Sequence, residues 1–355
     1  MRHARLLVVA MLPVLLTFGT ATPALAQYVQ HNLVSDGAIP APVTDPALVN
    51  AWGLAASGTS PWWVSDNGTG KATVYNGNTG AKVPLTVTVP GAPTGVVFNG
   101  GAGFVVPATH APARFLFASE DGTISGWSGG TSAFVVVDNS RAGAVYKGLA
   151  IAHSLAGDFI YATNFHAGTV EVFSSAFTPV PGGFKDPNIP SGYAPFGIQN
   201  LSGTIYVTYA QQDAAKHDDV AGQGHGYVDA FDMAGNFLRR VASKGALNSP
   251  WGLALAPASF GKFGGELLVG NFGDGRIHAF DPRLAENGEF RARGPLRSPD
   301  GLPIKIDGLW GLAFGNGAAA GPTDTLFFTA GPFDEQHGLF GTLTAVHDDD
   351  QDDDR

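Results

Sequence analysis

Trp251-Gly252-Leu253 opens a short apolar strand; Leu267-Leu268-Val269-Gly270-Asn271 follows, and after a glycine-bearing polar turn comes Arg276 to Phe280. Read outward from there, the opening triplet has five counterparts: Trp52-Gly53-Leu54, Thr94-Gly95-Val96, Lys147-Gly148-Leu149, Phe196-Gly197-Ile198 and Trp310-Gly311-Leu312. The six glycines stand 42 to 59 residues apart. That period suits a four-stranded propeller blade with loops of variable length. The later strands recur too. Trp62 to Asp66 leads to Ala72 to Tyr75, Phe115 to Ser119 leads to Thr123 to Trp127, and Phe159 to Asn164 leads to Thr169 to Phe173. Outside the first 26 residues no stretch sustains a helical period. The chain therefore predicts an all-β, single six-bladed β-propeller, with seven blades as the alternative because the 55- and 59-residue gaps have room for a further strand pair.

Each unit predicts an innermost strand a, which carries the glycine, then strands b, c and d moving outward. The last unit runs out of chain after c, Leu339 to Val346. Tyr28 to Val34 has strand character and no blade of its own, so it is expected to supply the missing d strand and close the ring. Met1 to Ala26 reads as a signal peptide: two arginines, an apolar stretch from Leu6 to Phe18, and Ala24-Leu25-Ala26 before the cleavage point. The apolar stretch is shorter than the ~20 residues a membrane span needs. The expected division is 1–26 signal peptide, 27–346 propeller and 347–355 acidic disordered tail. Export to periplasm or extracellular space, as a monomer with no integral membrane segment after cleavage, follows.

Composition narrows the partners. Glycine and proline, 49 and 24 of 355 residues, promise many turns, while 44% hydrophobic residues promise a core. A net charge of -10 argues against nucleic acid, and with no cysteine the fold rests on burial alone.

Successive strands are antiparallel, so the d–a and b–c connections share one rim around the channel. Before strand a stand Asn50, Asn248 and Asp307; after strand b stand Asp66, Asn67, Glu120, Asp121, Asn164, His166, Asn271 and Asp274. Asn67, Asp121 and Asp274 suit hairpin turns. Two b–c connections break the pattern, one holding His217, Asp218, Asp219 and His225, the other Asp334, Glu335 and His337. Irregular loops on one face of a repeat fold mark a binding face. Histidine with carboxylate suits Zn²⁺, and carboxylates with carbonyls suit Ca²⁺, so either divalent metal is the candidate cofactor. Gly126-Trp127-Ser128-Gly129-Gly130 fits the hydrolase elbow pattern but lacks its strand-to-helix turn.

Ile160 to Phe165 with Gly168 to Phe173 resembles NHL- and YVTN-type repeat propellers. Gln212 to Gly222 and Gly331 to Gly341 resemble segments of an uncharacterised family of exported bacterial propellers. The resemblance implies fold and export but no reaction. The expected function is a binding or scaffold module whose rim takes a protein, glycan or small molecule. The alternative is a Ca²⁺-dependent hydrolase resembling the gluconolactonase and paraoxonase type of propeller, with Asn50, Asn164, Asn271 and Asp307 as ligands and His166 as base.

Overall fold

The computed structural model describes residues 27–346. The expected signal peptide and acidic tail lie outside them. Six sheets surround a central axis, and the seven-bladed alternative gives way to six. Blade 1 runs Ala51–Ala55, Trp62–Asp66, Lys71–Tyr75, Lys82–Thr88, and blade 2 runs Pro93–Phe98, Phe115–Ser119, Thr123–Trp127, Phe134–Asp138. Blade 3 is Tyr146–Ser154, Gly157–Asn164, Thr169–Ser174 and a two-residue outer strand, Pro179–Val180. Blade 4 is Tyr193–Leu201, Thr204–Gln211, Tyr227–Phe231, Phe237–Ser243, and blade 5 is Pro250–Leu255, Leu267–Asn271, Ile277–Glu286, Glu289–Pro295. Blade 6 takes Leu309–Phe314, Leu326–Ala330 and Leu339–Ala345 from the end of the chain, and Tyr28–Ser35 from its beginning. The long gaps are filled by the b–c loop of blade 4, between Gln211 and Tyr227, and the extended outer hairpin of blade 5 instead of a seventh sheet.

The ring closes as the sequence predicts. Tyr28–Ser35 pairs antiparallel with Leu339–Ala345, from Tyr28 opposite Ala345 to Ser35 opposite Leu339. Tyr28 is also buried against Phe260, ring centroids 4.7 Å apart, which bolts the closing strand to blade 5. Among the described residues no helix is long and apolar enough to cross a membrane.

The repeated glycine has a steric cause. A Cβ on Gly53 would lie 2.3 Å from the Thr94 carbonyl oxygen; on Gly197, 2.2 Å from that of Trp251; on Gly252, 2.4 Å from that of Trp310; on Gly311, 2.8 Å from that of Trp52. Gly95 and Gly148 meet the next blade in the same way. Six innermost strands thus touch backbone to backbone around the axis, and only glycine permits that approach. The a–b register slips beside each of these positions. The displaced N–H groups find new acceptors: Gly197 N–H donates to Thr208 Oγ1 at 2.8 Å and Gly311 N–H to Thr329 Oγ1 at 2.8 Å. Bulges of this kind re-aim side chains, and here they turn the residue before each glycine toward the rim end of the channel.

Candidate functional site

The residues before the six glycines are Trp52, Thr94, Lys147, Phe196, Trp251 and Trp310. Four are aromatic and close the channel. Trp52 and Trp310 are buried with ring centroids 3.8 Å apart, Trp251 and Phe196 each meet Trp310 at 5.8 Å, and Phe272 stacks on it at 4.0 Å. This indole floor accounts for most of the aromatic cluster on the axis.

Above the floor runs a hydrogen-bonded chain that draws side chains from blades 6, 1, 2, 3 and 4. Asn50, held at φ 47, accepts through Oδ1 from the Trp52 and Trp310 indole N–H groups at 2.8 and 3.0 Å. Its amide donates to Glu335 Oε2 at 2.7 Å and Asn67 Oδ1 at 3.1 Å. The Asn67 amide donates to Glu120 Oε2 at 2.8 Å. The Lys147 ammonium donates to Glu120 Oε1 and, at 2.9 Å, to Asp218 Oδ1. His217 Nδ1 lies 3.0 Å from the same Asp218 oxygen. Glu335 reaches the mouth on a turn in which Phe333, Asp334 and Glu335 all adopt left-handed φ of 57, 53 and 65. Asp307 Oδ2 accepts the Phe333 N–H at 2.9 Å and braces that turn. Three such residues in a row cost of order 1 kcal/mol each, a strain that clusters at functional positions.

The electrostatics follow from burial. Enclosure works against the Lys147 charge, yet Glu120 and Asp218 outweigh it and hold the ammonium above its ordinary pKa. Burial pushes the Asp218 carboxyl up, and Lys147 more than reverses this. Glu335 is pushed up to about 7, by burial first and then by the Glu120 charge. Burial also raises Asp219. A lysine fixed as ammonium is no amine nucleophile. Being 2% exposed and committed to two carboxylates, it also has nothing to offer an anion. Glu120, Asp218 and Glu335 together outnumber it, so above pH 7 the mouth is net negative. Glu120, His217 and Asp218 each present a ligand atom, all within 4.8 Å of one another. Two carboxylates and an imidazole fit a divalent transition ion better than Ca²⁺.

Of the candidates read from sequence, Asn50, Asn67, Glu335, Asp218, His217 and Glu120 meet here. The others do not join them. Asn164 accepts from the Val145 and Ala167 N–H groups and donates to Glu171, and Asn271 accepts from the Asn248 N–H and donates to Ala246 and Asp274. Asn248 accepts from Gly222. Asp307 is exposed and serves the Phe333 turn. His225 faces the Val220 carbonyl at 2.8 Å, His337 faces Asp36 at 2.6 Å, and His166 and Asp334 are exposed. Asp219 sits beside the cluster with one carboxylate oxygen unpartnered. Asp66 is enclosed in blade 1, where burial raises its carboxyl pKa well above the usual range. Asp121 and Asp274 cap hairpins, as expected of them. Asn67, expected to form a turn, does so and also links Asn50 to Glu120. Ser128 lies 2.7 Å from the Thr109 hydroxyl and has no histidine partner.

Lys147 escaped the sequence reading, although a signal existed. It is the one charged residue among the six that precede the strand-a glycines.

No family model matches the chain. Protein R648 of Acanthamoeba polyphaga mimivirus is 34% identical over 333 residues, covering 88% of this chain and 79% of the relative. Protein L690 of the same virus is 33% identical over 344 residues, covering 90% and 86%. These relatives are viral, and they do not support the bacterial source that the sequence resemblance implied. Virginiamycin B lyase from Staphylococcus aureus superposes with a TM-score of 0.51 at 13% identity, covering 90% of this chain and 100% of that one. That likeness is one of fold.

Proposed function

The chain belongs to the family of the mimivirus proteins R648 and L690, and on that footing we propose that it is a binding module whose rim-side channel mouth takes a cation, in its simplest form a divalent metal ion. The observation that carries this is the charge balance of a closed mouth. Lys147 is spent on Glu120 and Asp218, yet carboxylate charge remains, and burial, with the Glu120 charge beside it, pushes the Glu335 carboxyl up to about 7. A cation held by Glu120, His217 and Asp218 would restore that balance. The floor of indoles keeps the ligand at the surface, as suits recognition. The same proposal keeps the protein exported and monomeric, on the strength of Met1 to Ala26 and a ring closed by the pairing of Tyr28–Ser35 with Leu339–Ala345.

One observation favours a second reading, a metal-dependent hydrolase: Glu335 beside the cation donors can hold or release a proton at neutral pH. Against it, Asn164, Asn271 and Asp307, the ligands that reading requires, serve their own loops.

Equilibrium dialysis of the purified protein against Zn²⁺, Mn²⁺ and Ca²⁺ tests the proposal. One Zn²⁺ or Mn²⁺ per chain is expected, weakening on acidification as the donors take up protons and lost in His217→Ala. Failure of all three ions to bind would overturn it.

A further inference from the structure

The channel has a second mouth that the first does not reach. Beneath the indoles the aliphatic residues that follow the six glycines, Leu54, Val96, Leu149, Ile198, Leu253 and Leu312, narrow the axis to a small void. On the far side it widens into a cavity of about 660 Å³. Leu54, Val96, Ile151 and Phe314 contribute apolar wall, and no Asp, Glu, Lys or Arg among the described residues lines it.

One position breaks the pattern. Two residues after the glycines stand Ala55, Val97, Ala150, Gln199, Ala254 and Ala313. Five are small and aliphatic, and the sixth is a primary amide that lines both the narrowing and the wide cavity. Gln199 is half-buried, and its side chain makes no hydrogen bond to another described residue. The other amides of the funnel are committed. Asn200 donates to the Ile151 carbonyl at 2.9 Å and accepts from Gly203, while Asn316 donates to the Ser57 and Ser60 carbonyls and accepts from Ala318 and Ala320. His153 is paired with Asp158. A half-buried amide without a partner, in a ring where alanine or valine suffices elsewhere, is a group that awaits one.

We propose that this funnel binds a neutral small molecule, an apolar ring or chain bearing one hydrogen-bonding group that pairs with the Gln199 amide. The volume falls in the roughly 300 to 1,000 Å³ range of small-molecule sites, and the wall mixes apolar side chains with the neutral polar groups of Ser57, Gln199, Asn200, Ser202 and Asn316. The absence of charged lining excludes the cations expected at the rim, so the two mouths serve different chemistries.

Titration of the full chain with N-phenyl-1-naphthylamine, a neutral fluorescent amine, tests this. Saturable binding of one probe per chain is expected, with enhanced emission. Gln199→Leu, which keeps the cavity apolar and removes the amide, should weaken binding roughly three- to tenfold, the value of one hydrogen bond. Ala313→Trp should block it, with an unchanged melting temperature as the folding control. If Ala313→Trp unfolds the chain, Ala55→Phe from the neighbouring blade takes its place. Absent saturation, or affinity indifferent to both Gln199→Leu and the blocking variant, overturns the proposal. So does loss of binding in Leu155→Asp alone, which would put the probe in the apolar groove between blades 3 and 4.

Discussion

Lys147→Met isolates the electrostatics of the rim mouth. Methionine replaces the aliphatic stem and deletes the ammonium, whose nitrogen lies 5.2 Å from the Trp52 ring centroid, so the loss is mainly that of a buried ion-pair partner. Removing one partner of a fully buried pair costs about 3–5 kcal/mol. Here Lys147 and Glu120 are 2% and 17% exposed, whereas Asp218 is 62% exposed and water carries its charge. The cost thus falls mainly on Glu120, at the low end, about 3 kcal/mol. For a domain of this size that is a fall in Tm of about 4–5 °C. The pH dependence has a defined sign. Without the ammonium, whose charge holds the Glu335 carboxyl down against burial and the Glu120 charge, Glu335 takes a proton still more readily folded than unfolded, so the native state binds the extra proton and stability declines as pH rises. The deficit should therefore be largest at neutral pH and shrink toward pH 5. Mn²⁺ should restore the variant, since saturation at 100 times Kd contributes about 2.7 kcal/mol. Calorimetric melting at two pH values, with and without Mn²⁺, reads all three effects. A Tm within about 1 °C of the parent at neutral pH, or a deficit that deepens on acidification, refutes the reasoning.

Deleting Gln27 to Asp36 should lower Tm by several degrees, because blade 6 loses its outer strand and Tyr28 leaves Phe260; an unchanged melt contradicts ring closure. Gly197→Ala should cost about 3 kcal/mol, since its Cβ would sit 2.2 Å from a carbonyl oxygen that belongs to the neighbouring strand; urea denaturation decides, and a neutral result removes the close-approach account of the repeat. Glu335→Gln should stabilise the protein above pH 7 and be neutral near pH 5. A carboxyl whose folded pKa is raised from 4.5 to about 7 loses stability as pH rises through that window, and the amide mimics its protonated form. Parallel melting curves at all pH values contradict this.

The ring was legible because its signature is local. A glycine excluded from having a Cβ, followed by an aliphatic residue and a hairpin, repeats at every blade, and the orphan strand Tyr28 to Val34 had one vacancy to fill. The rim face was legible from antiparallel alternation alone. The site was legible only as a face. Asn, Asp and Glu after strand b serve hairpins and mouths alike, and what separates Glu120 from Asp121 is which blade each leans toward, a matter of loop path. His337 lies two residues from Glu335, yet the left-handed turn sends one to Asp36 and the other to Asn50. Lys147 and Gln199 show what comparison within the chain can add: each is the polar exception at a position that its sister blades fill with other residue types.

The central claim, a cation at the rim mouth, is tested most directly by anomalous diffraction from crystals soaked in Mn²⁺. The account predicts one strong peak among Glu120, His217 and Asp218, beside the Lys147 ammonium, and its disappearance in His217→Ala. Well-ordered crystals with no peak at the mouth, or with manganese bound only elsewhere on the ring, would contradict it.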